Sequence, residues 1–129
     1  MRHRGHEERG ASAVEFALVL PLLLVVALSL VQVGLLVRDR LLVEAAARAG
    51  ARTAAVDPEQ AAIADAVARS APDLDPGALT VGVARAGTQG DPVTVTVGYT
   101  ASIEVPFIGW LITHGVEMTS TATDRQEFG

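Results

Sequence analysis

From Phe16 to Val37 the chain runs for 22 residues without a charge. As a helix rising about 1.5 Å per residue this stretch covers about 33 Å, enough to cross a hydrocarbon core of about 30 Å. Part of the protein is therefore expected in a membrane, and that limits what the rest can be. Beyond residue 56 only 73 residues remain, near the size at which a single core is marginal without staples or partners. One small outer domain is the most that such a length supports.

Half of the chain is apolar, yet only five residues are aromatic, and Ala and Val supply most of the bulk. A core of this kind packs backbone close to backbone rather than enclosing a ligand. With no cysteine there is no disulfide framework, so the outer part must hold by packing and association. Charge is split unevenly. Residues 1–56 carry seven Arg against five acids, net +2, whereas residues 57–129 carry three Arg against ten acids, net −7. The chain has no Lys, and its outer part should repel phosphate backbones, which argues against a nucleic-acid partner.

The residues ahead of the apolar run, MRHRGHEERG, are short and polar. A secretory signal has a basic start, an apolar stretch of roughly 7–15 residues and then a small-x-small cleavage site. Here the stretch is longer, and Val37 leads directly into Arg38, Asp39 and Arg40. The run is thus read as retained. Arg2, Arg4 and Arg9 precede it and Arg38, Arg40, Arg48 and Arg52 follow it, so the positive-inside count is nearly tied. The small size of the leading segment beside a folded domain on the other side favours a cytoplasmic N-terminus.

Glu15 stands just before the run and admits two readings. Ser12 and Glu15 have the S-x-x-E spacing of a capping box, in which hydroxyl and carboxylate satisfy orphan N–H groups at a helix start. An acid there also meets the positive end of the helix dipole, worth about 0.3–1 kcal/mol. The other reading comes from the surrounding residues. Gly10-Ala11-Ser12-Ala13-Val14-Glu15-Phe16-Ala17-Leu18, with Pro21 inside the apolar helix, resembles the processing site of type IV prepilins, and more closely that of the TadE-like pseudopilins of tight-adherence (Flp, type IVb) pilus assembly.

That resemblance implies a membrane-embedded aspartyl prepilin peptidase cutting after Gly10 on the cytoplasmic side, with Ala11 as the new N-terminus. Glu15 then becomes the fifth residue of the mature chain, and Glu15 and Phe16 take the positions tied to assembly and register between subunits. Tyrosine usually follows the acid in major pilins of this system, and many type IV pilins begin with a methylated phenylalanine. Phe16 and Ala11 stand at those places, which points to a minor, TadE-type subunit. A carboxylate at the membrane edge is costly without a partner, and the ammonium freed on a neighbouring subunit would supply one.

Residues 38–56 are rich in Ala, Leu, Arg and Glu, so the helix is expected to continue to residue 56, about 40 residues in all, with Gly50 as a place to bend. Arg40, Glu44, Arg48 and Arg52 recur every four residues as a solvated stripe. Leu42, Ala45, Ala46, Ala49 and Ala54 form a small-residue face, with Ala46 and Gly50 in the small-x-x-x-small spacing. This face is expected to cover the protein's own sheet. The AARAGAR segment extends the TadE-like resemblance beyond the apolar run.

In residues 57–129, Asp57-Pro58-Glu59-Gln60 reads as a helix start with Asp57 as cap, for a second helix from Pro58 to about Ser70. Three alternating segments follow: Leu79–Val83, Val93–Val105 with its odd-numbered residues on one face, and Val116–Asp124, with a turn over Gly87–Pro92. The apolar connection Pro106–Ile112 either plugs the core or touches a membrane interface or neighbour. The fold class is α+β and pilin-like: a long transmembrane helix continuing outside the membrane, a short second helix and a three-stranded antiparallel sheet.

Chemistry is weakly signalled. His3, His6 and His114 lack surrounding ligands, no phosphate loop, nucleophile elbow or zinc-protease motif occurs, and no cofactor, metal or catalytic residue is expected. The expected organisation is a leader over 1–10, a membrane helix over 11–37, its continuation over 38–56 and an outer domain over 57–129. A single-pass membrane protein with its C-terminal domain outside the cytoplasm follows, possessing as partners membrane lipid, the prepilin peptidase, other pilin or pseudopilin subunits and the pilus assembly platform. The rival is an uncut single-span envelope protein whose outer domain binds a partner. A protein secreted from a long signal is a third reading.

Overall fold

In the computed structural model, which describes residues 4–102 and 115–129, the elements in order are α1 (Arg4–Val56), α2 (Gln60–Ser70), a short 3-10 turn (Pro76–Ala78), β1 (Leu79–Arg85), β2 (Pro92–Ala101) and β3 (Val116–Arg125). The α+β class, the two helices and the three-stranded sheet are as the sequence led one to expect. The chain divides into two compact units, Met1–Gly34 and Leu35–Gly129. In the first, α1 continues through Pro21, whose missing N–H leaves a helix carbonyl without its usual donor. Ser29 Oγ donates to the Val25 carbonyl at 2.8 Å, so this hydroxyl is satisfied within its own helix.

The second unit packs α1 and α2 on one face of the sheet. Strand order is β1-β2-β3, antiparallel throughout, with Val81 opposite Val97 and Val95 opposite Ala122. Val93, Val95 and Val97 are fully buried beneath Ile63 and Val67 of α2 and a stripe of α1. That stripe is Val43, Ala46, Ala47, Gly50, Ala51, Ala54 and Ala55, so that each member has others three or four residues away, as one helix face requires. The small-residue face expected from sequence is displaced by part of a turn: Ala45 is exposed and Leu42 and Ala49 are half-buried. Its role, covering the sheet, is as expected. On the opposite sheet face, threonines pair across the ladder, Thr94 with Thr123 at 3.1 Å and Thr96 with Thr121 at 3.3 Å.

Gly50 is where the layers come closest. A Cβ built there would lie 2.8 Å from Val67 Cγ2 and 3.0 Å from Val95 Cγ1, both locked in the core. Alanine at this position would have to push one of them aside. Three of the last four carbonyls of α1 have donors. Asp57 N–H donates to Thr53 at 2.8 Å, Arg85 Nη1 to the Ala54 carbonyl at 2.8 Å, and Glu127 N–H to the Ala55 carbonyl at 2.7 Å. These satisfy carbonyls that a helix terminus leaves without partners.

Two boundaries differ from expectation. Asp57 accepts from the Glu59 N–H at 2.8 Å, but Glu59 is extended (ψ 120°) and α2 begins only at Gln60. Asp57 therefore forms a turn that precedes the helix rather than its cap. In addition, α1 begins at Arg4, about two turns before Ser12, and is 53 residues long rather than about 40. The turn joining β1 to β2 is closed by Asp91, whose carboxylate accepts from the Thr88 N–H at 2.9 Å, and by Gly90 in the positive-φ region (90°) that glycine favours. The apolar connection Pro106–Ile112, the end of the second strand segment at Ile103–Val105, and His3 and His114 lie outside the described residues.

Candidate functional site

The residues singled out near the N-terminus, Gly10, Ala11, Glu15 and Phe16, all lie within α1. Because the helix starts two turns earlier, Ser12 and Glu15 are interior residues whose backbone N–H groups already have helical partners. The capping-box reading does not hold for the uncut chain. Ala11 and Glu15 are four apart and share a helix face, whereas Phe16 lies on the neighbouring one. Glu15 is exposed and has no ion pair or hydrogen bond among the described residues.

No described residue packs on this segment. A Cβ added at Gly10 or at Gly34 would meet no atom within 4 Å. No residue from Gly10 to Leu42 is buried, and Phe16 is 64% and Leu18 74% exposed. An apolar helix inside a soluble domain would be covered by its own protein; this one is apolar all round, and among the described residues none covers it. The helix is long and apolar enough to cross a membrane once, and the part of it that meets that test is wholly unburied. Lipid is the solvent in which such a surface is stable.

Within the second unit the polar stripe of α1 behaves as its spacing suggested. Glu44 carboxylate oxygens stand 3.6 Å from Arg40 and 3.5 Å from Arg48, one acid shared by two cations a turn either side. Arg38 reaches the Asp73 carboxylate, tying the start of this stretch to the loop after α2. These exposed pairs contribute little stability, of order 0–1 kcal/mol each. Among the described residues no group of three His, Asp or Glu side chains is arranged to hold a metal ion.

Arg85 is the polar residue that sequence reasoning passed over. It sits on the inward face of β1, after Leu79, Val81 and Val83, and its guanidinium donates to the Ala54 and Asp57 carbonyls and to Gln126 Oε1. The Phe128 ring lies 5.1 Å from its central carbon. A cation at the C-terminal end of a helix opposes the negative end of the dipole, and α1 has no basic residue of its own in its last turn. The signal was present in the sequence as a lone Arg in register with three aliphatic residues.

Residues 10–52 match the family model described as TadE-like protein. The match opens on Gly10, covers the whole uncharged run and closes on Arg52, an exposed residue of the helix stretch that carries the buried stripe, about a third of the chain. No curated protein and no solved structure matches the chain.

Proposed function

We propose that the chain is a minor pseudopilin of a tight-adherence pilus or related secretion machinery, a reading supported by the match of residues 10–52 to the model described as TadE-like protein. Its N-terminus lies in the cytoplasm, and a prepilin peptidase hydrolyses the Gly10–Ala11 amide. Water adds across that bond, leaving a carboxylate on Gly10 and an ammonium on Ala11. The observation that carries this reading is a glycine on which no described residue packs, five residues ahead of an acid with no partner among the described residues, at the start of an apolar helix that the described residues leave uncovered.

The uncut helix sets the energetic order of events. A peptidase needs an extended strand at the scissile bond, so residues around Gly10 must unwind first. Glycine is about 1 kcal/mol worse than alanine in a helix, and no tertiary contact among the described residues holds this turn, so the opening is cheap. Once Ala11 is the first residue, Ser12 and Glu15 become first-turn residues, and the capping geometry absent from the uncut chain becomes available. The new ammonium and Glu15 then neutralise one another, within one copy or between neighbours, as helices gather in the membrane. The outer domain stays outside the cytoplasm, and the work is assembly with no substrate turned over.

Mass analysis of the N-terminus from membranes with and without the peptidase tests this. A start at Ala11 only when the peptidase is present is expected; an intact Met1 in both would favour the uncut anchor, and a start beyond Val37 would favour secretion. Glu15→Ala should leave insertion intact and impair incorporation into the pilus, with Glu15→Gln measuring how much of that loss is charge. Unchanged piliation in both would remove Glu15 from the mechanism.

A further inference from the structure

The last residues of the uncharged run, Leu35, Leu36 and Val37, belong to the second unit, so that unit carries its own exit from the membrane. Arg38 follows about 1.5 Å further along the helix, and helical side chains lean toward the N-terminus, so its guanidinium falls within the polar layer of about 5–8 Å outside the hydrocarbon core. There it reaches the Asp73 carboxylate. The loop Ala71–Asp75 is thereby held at the level of lipid headgroups, with Pro72, Asp73 and Asp75 exposed and Leu74 buried beneath them. The sheet points the same way. Arg85, at the end of β1, donates to the Ala54 carbonyl, about 25 Å past Val37. Gly50 lies against Val95, which stands opposite Val83 in the ladder, so β1 descends toward Leu79 as α1 descends toward Arg38.

We propose that the loop Ala71–Asp75 is a lipid contact: it rests among headgroups that carry both a phosphate and an ammonium, and Arg38 and Asp73 exchange their mutual pair for those two charges. The two side chains are 51% and 58% exposed, and a pair so open to solvent contributes at most about 1 kcal/mol, so the exchange costs little. A guanidinium beside a carboxylate is the complement of a phosphate beside an ammonium, whereas a headgroup with negative charge alone would meet Arg38 and be repelled by Asp73 and Asp75. Continuity selects lipid over a protein as the occupant, because this surface begins where the lipid-covered run ends. The proposal rests on the reading that residues 16–37 cross the bilayer, and it is independent of cleavage at Gly10.

The full chain in vesicles tests it, with a fluorophore on a single introduced cysteine and a quencher attached to a lipid headgroup. In vesicles of phosphatidylethanolamine and phosphatidylcholine in equal parts, a label at Pro72→Cys should be quenched at least about threefold more than one at Thr88→Cys, in the turn beyond the far end of β1, which is about 20 Å long. In phosphatidylglycerol vesicles the Pro72→Cys signal should be quenched about twofold less, since the headgroup then meets Asp73 and Asp75 without an ammonium. Adding Asp73→Asn and Asp75→Asn to Pro72→Cys should erase that difference between the two lipids. Equal quenching at Pro72 and Thr88 would overturn the contact. So would a Pro72 signal indifferent to lipid charge, or a difference that survives both Asn substitutions. Leu23→Cys, read with a quencher on the acyl chains, keeps the two readings apart: quenching at Leu23 with none at Pro72 sinks the contact alone, and no quenching at Leu23 sinks the span on which the contact rests.

Discussion

The two stretches of α1 invert the usual rule of the protein interior. Between Val14 and Val37 none of the large side chains is buried, and Phe16, Leu18, Leu22 and Leu30 are more than 60% exposed, whereas between Val43 and Ala55 the buried residues are one valine, one glycine and five alanines. The difference shows what each stretch is built to touch. Bulky residues facing outward all round suit a fluid solvent that fits any shape, and small residues on one stripe suit a rigid partner whose backbone must come close. The same helix is thus specific in one part and permissive in the other.

Glycine-to-leucine exchange breaks that comparison most sharply. Gly50→Leu should cost more than about 3 kcal/mol, because its side chain meets Val67 and Val95 at distances where even a Cβ does not fit, and thermal unfolding followed by circular dichroism should show the outer unit lost. Gly34→Leu, with nothing within 4 Å, should leave that transition unmoved. Next in size, Ile63→Ala should lower the unfolding free energy by about 2–4 kcal/mol, the cost of emptying a fully buried site between α2 and the sheet. Arg85→Met keeps the aliphatic length but leaves the Ala54 carbonyl without its donor, for a loss of about 1–3 kcal/mol in denaturant titration. The smallest effect belongs to Leu23→Ala, which should shift unfolding of the outer unit by less than about 0.5 kcal/mol, since no protein atoms cover this side chain in the way they cover Ile63.

Much of this was legible in the sequence because two periodicities are strong. The uncharged run gave the apolar helix by length alone, and the Val-x-Val-x-Val pattern of β2 gave both the strand and its buried face, Val93, Val95 and Val97. What composition could not place was phase. In an Ala-rich stretch every face is small, so Ala45 and Ala49 look as suited to the core as Ala47 and Ala51; only the position of Val67 and Val95 over Gly50 selects the stripe. The start of α1 was misplaced because the polar residues 4–10 carry no periodic signal, though most of them are acceptable helix formers and follow the strong helix downstream. Asp57 was misread because an Asp-Pro pair serves equally as a helix cap or as a turn ahead of one. At the N-terminal site the spacing of Gly10, Ala11 and Glu15 was visible from residues alone; their freedom from contact was not, and it is what turns attention to partners outside the chain.

If lipid covers residues 16–37 and not the residues beyond them, access to a water-soluble reagent should change sharply along α1. Since the chain has no cysteine of its own, single cysteines placed at Leu23, Leu30, Leu41 and Ala45 of the full chain in intact membranes can be challenged with a membrane-impermeant maleimide. No labelling is expected at the first two positions and ready labelling at the last two, from the extracytoplasmic side. Equal labelling at Leu23 and Ala45 would contradict it.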